Sequence, residues 1–154
     1  MPIQYIHYGA SKFDASRFKP IENEPLGVKP RGGLWASAVD AEYGWRKWCE
    51  KQDFELQRLQ ESFLFALKEN ANVLYINSGS DLNKLPRNKM LKLTTRINLA
   101  RVTLDFKKML STGIDAIHLN LSNDNRLYWA LYGWDCDSIL IMNKDVIIPE
   151  GLLC

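Results

Sequence analysis

The chain has 154 residues, 46% of them hydrophobic and 25% charged, with a net charge of +2. That length fits one domain, residues 1–154, able to bury a core without disulfide or metal staples, and the small charge makes no case for nucleic acid by itself. Three scattered cysteines with no C-x-x-C pair, two histidines, and the lack of any apolar run near the ~20 residues of a bilayer span argue against a disulfide framework, a structural zinc site and a membrane anchor.

In chain order, "IQYIHYG" (Ile3 to Gly9) reads as a short strand ending in a turn. Ser11 to Gly33 is polar and rich in proline and glycine, a surface loop with one helical turn near Phe13 to Phe18. "LWAS" (Leu34 to Ser37) is a second strand, after which Asp40 is placed to cap a helix from Ala41. Asp53 to Asn70 reads as the clearest helix, because Phe54, Leu56, Leu59, Phe63 and Leu67 recur at near-helical spacing. "NVLYIN" (Asn72 to Asn77) is a strand closed by the turn "SGSD", with Ser80 or Asp81 capping a brief helical turn before Leu85 and Pro86. Arg96 to Leu110 is a second amphipathic helix, stopped at Gly113. "IDAIHLNL", "DSILIM" and "DVIIP" are strands, and Asp124 to Trp134 supplies one or two helical turns between the first two. Short strands alternating loosely with helices, in no strict βαβ order, predict an α+β fold on a curved or split sheet. The N-terminus has no basic-then-apolar leader, so a reducing, cytoplasmic setting is expected.

Phosphate-cradling glycine motifs (GxGxxG, GxxxxGK[ST]), the HExxH zinc motif and the GxSxG nucleophile elbow are all absent from the sequence. What remains is a set of polar residues at strand ends and many tryptophans: Trp35, Trp45, Trp48, Trp129 and Trp134. Tryptophan fills cores, and it also walls pockets for flat ligands. His7, Ser37 and Asp137 each end or begin a strand. Each also has a plain structural reading, as a bonded core histidine, a helix cap and a turn residue.

Taken in order, "YIHYGAS", "GGLWASAVDAEYGW", "VLYINSGSDLNKLP", "GIDAIHL" and "DSILIMNKDVII" resemble the ADP-ribosyltransferase superfamily, in its diphtheria-toxin and poly(ADP-ribose)-polymerase branch. The resemblance covers most of the chain. It implies a split, curved β-sheet core with flanking helices, and NAD as co-substrate with no metal. His7 would hold a ribose hydroxyl, Tyr8 and Gly9 would offer backbone to the carboxamide, Trp45 would stack on the nicotinamide with Tyr43 or Trp48 as substitutes, and Trp35 would form the strand wall or a core position behind it. Ser37 would bond the carboxamide or cap the helix, Gly32 and Gly33 would permit tight turning and close ligand approach, Asp137 would be the catalytic acid, and Asp135 an acceptor-side base. The chain departs from the family pattern in having aspartate where glutamate is usual and Tyr8 ahead of Gly9.

The implied activity is mono-ADP-ribosyl transfer to a macromolecular acceptor, a protein side chain or a nucleic-acid base. Small members of the superfamily often serve as bacterial toxins or phage effectors, so a neutralising antitoxin is an implied partner and a membrane is not. The alternatives are NAD glycohydrolysis on the same pocket and a non-catalytic binding module on the same fold.

Overall fold

The computed structural model describes residues 2–25, 28–88 and 102–151. It is a mixed α+β structure on a seven-stranded open sheet. The strands are β1 (Tyr5–Tyr8), β2 (Leu34–Ala38), β3 (Ser62–Leu67), β4 (Val73–Ile76), β5 (Ala116–Leu119), β6 (Ser138–Ile141) and β7 (Ile147–Pro149). Their order across the sheet is β4-β5-β6-β2-β1-β3-β7, with β4 and β5 parallel and the other neighbours antiparallel. The described helices are α1 (Trp45–Gln52), α2 (Phe106–Ser111) and α3 (Asn125–Ala130), with single 3₁₀ turns between elements.

Alternation along the strands divides the core in two. Ile117, Leu119 and Leu140 point to one face, where Phe106 and Met109 of α2, Leu127 of α3, and Leu131 and Trp134 pack on them. Ala116, Ile139 and Ile141 point to the other, where they meet Tyr5, Ala36, Phe65, Val146 and Ile147. Strands β5 and β6 are therefore buried on both faces, which is why they read as near-continuous apolar runs.

The junction at the middle of the sheet is narrow. Strands β1 and β2 pair only at Tyr5↔Ala38 and Ile6↔Ser37. Beyond that point β2 continues along β6, through Leu34↔Ile141, Trp35↔Leu140 and Ala36↔Ile139, while β1 continues along β3. The His7 ring reaches across the gap to the carbonyl of Trp35, at 2.6 Å.

Three expectations are corrected. Asp53 to Asn70 is not one helix: Leu56–Gln60 is a 3₁₀ turn, and Ser62–Leu67 is β3. The apolar positions that suggest a helical stripe also alternate, and the strand wins because it pairs with β1 on one side and β7 on the other. Asp40 does not cap a helix at Ala41. The helix begins at Trp45 with Gly44 at the N-cap, and Asp40 lies in a turn. Of the helix expected over 96–110, residues 96–101 lie outside the described residues, 102–105 are not helical, and α2 begins only at Phe106. Asp105 caps α2 by accepting from the Lys108 N–H, and Gly113 ends that segment with a φ of 98°.

Phe65 is fully buried between its β1 and β7 neighbours and stacks on Tyr5. Phe65→Ala is expected to lower stability by about 3–5 kcal/mol, as large-to-small changes in a packed core do, read as a fall in urea midpoint.

Candidate functional site

The gap between β1 and β2 opens into a cavity of about 300 Å³. His7 and Tyr8 come to it from β1, Trp35 and Ser37 from β2, and Trp45 from the first turn of α1. Five of the residues singled out in the sequence thus converge from three elements.

Ser37 explains how α1 comes to be there. Its hydroxyl accepts from the Trp45 N–H at 2.9 Å, and so satisfies one of the donors left free at a helix start. The same hydroxyl donates to the carbonyl of Asp137, also at 2.9 Å. Of the two roles raised for Ser37, the structure shows the cap, provided by a strand rather than by the preceding loop.

The Trp45 ring is fixed on its outer side. It stacks on Trp48 with centroids 5.0 Å apart and an interplanar angle of 14°, and Phe54 meets both rings edge-on. Trp35 forms a second wall, braced edge-on by Trp134 at 4.8 Å. The Lys29 ammonium lies over both walls, 4.7 Å from the Trp35 ring centroid and 6.0 Å from that of Trp45. The aromatic slot is therefore one that holds a cation, and the chain's own Lys29 does so here.

Trp134 also lines the cavity, and it is 1% exposed. Its Nε1–H is the one buried side-chain polar atom among the described residues with no hydrogen-bond partner. Leaving such a donor unsatisfied costs about 1–3 kcal/mol.

Asp137, expected as the catalytic acid, stands apart from this cavity. It is 4% exposed and is not among the residues lining this cavity. Its carboxylate accepts from the Ser122 N–H at 2.8 Å, the Ser122 hydroxyl at 2.8 Å and the Tyr43 N–H at 3.0 Å. The Asp137 N–H in turn donates to the Tyr43 carbonyl. These bonds tie the loop before α1 and the turn after β5 to the start of β6. Asp137 is the tie between them, and the part of it open to solvent borders a separate groove with Asp40, Tyr75 and His118.

Asp135, expected as an acceptor-side base, lies before β6, which begins only at Ser138, and has a left-handed φ of 70°. Partial burial raises its carboxyl above the ordinary carboxylate range, with nearby Lys29 pulling the other way. The Tyr43 ring lies outside the cavity lining, 5.6 Å from the Lys51 ammonium. Gly9 belongs to an adjoining pocket of about 180 Å³, which shares His7, Gly33, Leu34 and Arg58 with the cavity and adds Lys12 and Arg17. Gly32 and Gly33 do allow close approach, but to the chain itself: a Cβ would lie 2.1 Å from the Pro20 carbonyl oxygen at the first and 2.7 Å from that of Ile141 at the second.

The carboxylate that does line the cavity is Glu55. It sits in the left-handed region at φ 43°, two residues after Asp53 at φ 52°, and pairs with Arg58 at 3.1 Å. Non-glycine residues in that region cost of order 1 kcal/mol or more and cluster at functional sites. Glu55 was not singled out from the sequence because its segment reads as helix, and a left-handed backbone leaves no sign in residue type. Cys136 lines the cavity too, but burial pushes its thiol up to about 12, which leaves it protonated and inert as a nucleophile.

Two measurements follow from this arrangement. Asp137→Ala should cost about 3 kcal/mol in a urea titration, because charge-assisted bonds are lost and the Tyr43 and Ser122 donors go unpaired. Burial also lowers the pKa values of His7 and His118 below their ordinary 6.5. The unfolded chain then binds protons that the folded one refuses. Stability should be full above about pH 6.5 and decline as pH falls below it, and the double change His7→Gln with His118→Gln should flatten that decline.

Compared with known proteins, the chain has no match: no family model, no curated protein and no solved structure.

Proposed function

We propose that the chain binds NAD in the cavity between β1 and β2 and transfers ADP-ribose from it to a macromolecular acceptor, on an ADP-ribosyltransferase-like sheet. The observation that carries this reading is the cation-holding slot between Trp35 and Trp45, entered from the split where His7 bridges the strands. A flat, positively charged nicotinamide ring suits two aromatic walls that already attract an ammonium. The unpartnered Trp134 Nε1–H suits a carboxamide oxygen. Lys12, Arg17 and Arg58 in the adjoining pocket suit the diphosphate. The narrow two-pair junction of β1 and β2 agrees with the split sheet that the resemblance implies.

NAD supplies a ribose carbon whose bond to nicotinamide breaks as positive charge develops on the sugar. A fixed carboxylate beside that carbon lowers the barrier, an effect worth about 3 kcal/mol in comparable sites. Glu55 is the lining carboxylate that can take this part, held at its angle by Arg58. Trp35 and Trp45 orient the ring, with Trp48 buttressing Trp45 from behind. Lys29 must leave the slot for a ligand ring to enter, so its ammonium acts as a stand-in that the ligand displaces. A second reading is a binding module without chemistry, and the engagement of Asp137 in structural bonds favours it.

Nicotinamide release from NAD, with and without cell lysate, separates the readings. Release that depends on lysate and is lost in Glu55→Gln supports transfer. Lysate-independent release points to glycohydrolysis, and NAD binding without release points to the module. Trp134→Phe keeps the ring and removes the donor, and should weaken NAD binding about tenfold by calorimetry, the size of one lost hydrogen bond to a buried donor. Trp45→Ala should weaken it at least as much while the protein stays folded. A protein that binds no NAD at all overturns the proposal.

A further inference from the structure

A second surface, away from the NAD cavity lining, has the chemistry of a recognition site. Helix α3 buries Leu127 and turns Tyr128 and Trp129 outward, with Tyr132 just beyond its end. Trp129 is 61% exposed, Tyr132 46% and Tyr128 42%. Three large aromatics within five residues, all open to water, are more than scattered exposure accounts for. Tyr128 meets Trp129 and Tyr132 edge-on, at an interplanar angle of 86° in both cases, so none of these pairs is stacked flat on itself.

Trp129 also forms a wall of a groove of about 490 Å³. Arg87 and Arg126 line that groove, and among the described residues no carboxylate does. The Arg126 side chain is 80% exposed. It pairs with Asp124, 3.3 Å from Nη2 and 3.4 Å from Nε, while Asp124 also accepts from the backbone N–H groups of Gly79 and Arg126. Arg87 donates to the Leu82 carbonyl, which anchors its guanidinium at the groove. Lys84 is exposed in the adjacent 3₁₀ turn, Gly79–Lys84.

We propose that this face binds single-stranded nucleic acid, with Trp129, Tyr128 and Tyr132 stacking on bases and Arg87 and Arg126 holding the phosphates between them. Every base has a flat face and every linkage an anion, so exposed rings interleaved with guanidinium groups match a strand without reading its sequence. A duplex hides its base faces and suits the surface less well. The surface stands apart from the NAD reading and is tested without NAD. If both hold, the acceptor presented to the cavity is a nucleic acid.

The test is fluorescence anisotropy of the full chain with fluorescein-labelled single strands of about 12 nucleotides, poly-dT and poly-U, at salt from about 50 to 200 mM. Saturable binding that weakens with salt is expected, with a matched duplex bound more weakly. Trp129→Ala should reduce affinity about tenfold, the usual loss for one stacking ring. Arg126→Gln should lower the slope of log affinity against log salt by about 0.7, one phosphate contact on a single strand. Tyr75→Ala, another exposed aromatic, should change nothing, and circular dichroism checks each fold. The proposal is overturned if neither strand binds at about 50 mM salt, if Trp129→Ala binds as wild type does, or if duplex binds as tightly. A protein captured through Trp129 by a chain with no affinity for either strand also overturns it, and reassigns the face.

Discussion

The arrangement of the cavity depends on the hydrogen-bond hub shared by Ser37 and Asp137. One hydroxyl joins the backbone of β6 to the first turn of α1, and one carboxylate joins the loop before α1 to the turn after β5. The carboxylate bonds are charge-assisted and the hydroxyl bonds neutral, and removing one partner strands the others. Without the hub, Trp45 has no fixed position relative to Trp35, and the aromatic slot has no defined width.

The second constraint is the early parting of β1 and β2. A sheet that stayed zipped would fill the space with backbone bonds. Because pairing stops after Ile6, the Trp35 carbonyl is left without a strand partner on that side, and the His7 ring takes it up. Burial lowers the His7 pKa below its ordinary value, and the ring donates its Nδ1–H to that carbonyl. The split is thus satisfied in its polar groups yet open in its volume. The apolar layers on both faces hold the two parts of the sheet in place around it.

Charge and aromatic surface are distributed with the same economy. Among the residues lining the cavity, Lys29 sits over two tryptophan walls and Glu55 is paired with Arg58. On α3 the aromatics face water and their neighbours are arginines. A net charge of +2 over the whole chain conceals this local order. Whole-chain charge therefore says little about partners here, while the placement of individual guanidinium and ammonium groups says a good deal.

Much of the strand content was legible in the sequence, because β1, β2, β4, β5, β6 and β7 are short apolar runs bounded by turn residues, and His7, Tyr8, Trp35, Ser37 and Trp45 stood out as a possible pocket. Strand β3 was not legible, since Phe63 and Leu67 fit a helical stripe as well as an alternating one, and only pairing with β1 and β7 decides between them. Asp137 has the residue type of a functional carboxylate and stands at a strand start, while its three donors, which come from residues 15 and 94 positions away, are not legible in the sequence. Glu55 went unseen, and Trp134 was only one of five tryptophans, because a left-handed backbone and an unpartnered N–H are properties of the folded chain. The sequence by itself determined the α+β class, most strands and which aromatics were available, because those follow from local pattern. The tertiary structure alone decided which carboxylate faces the cavity and which is spent on holding it, because hydrogen-bond partners distant in sequence meet only once the sheet has formed.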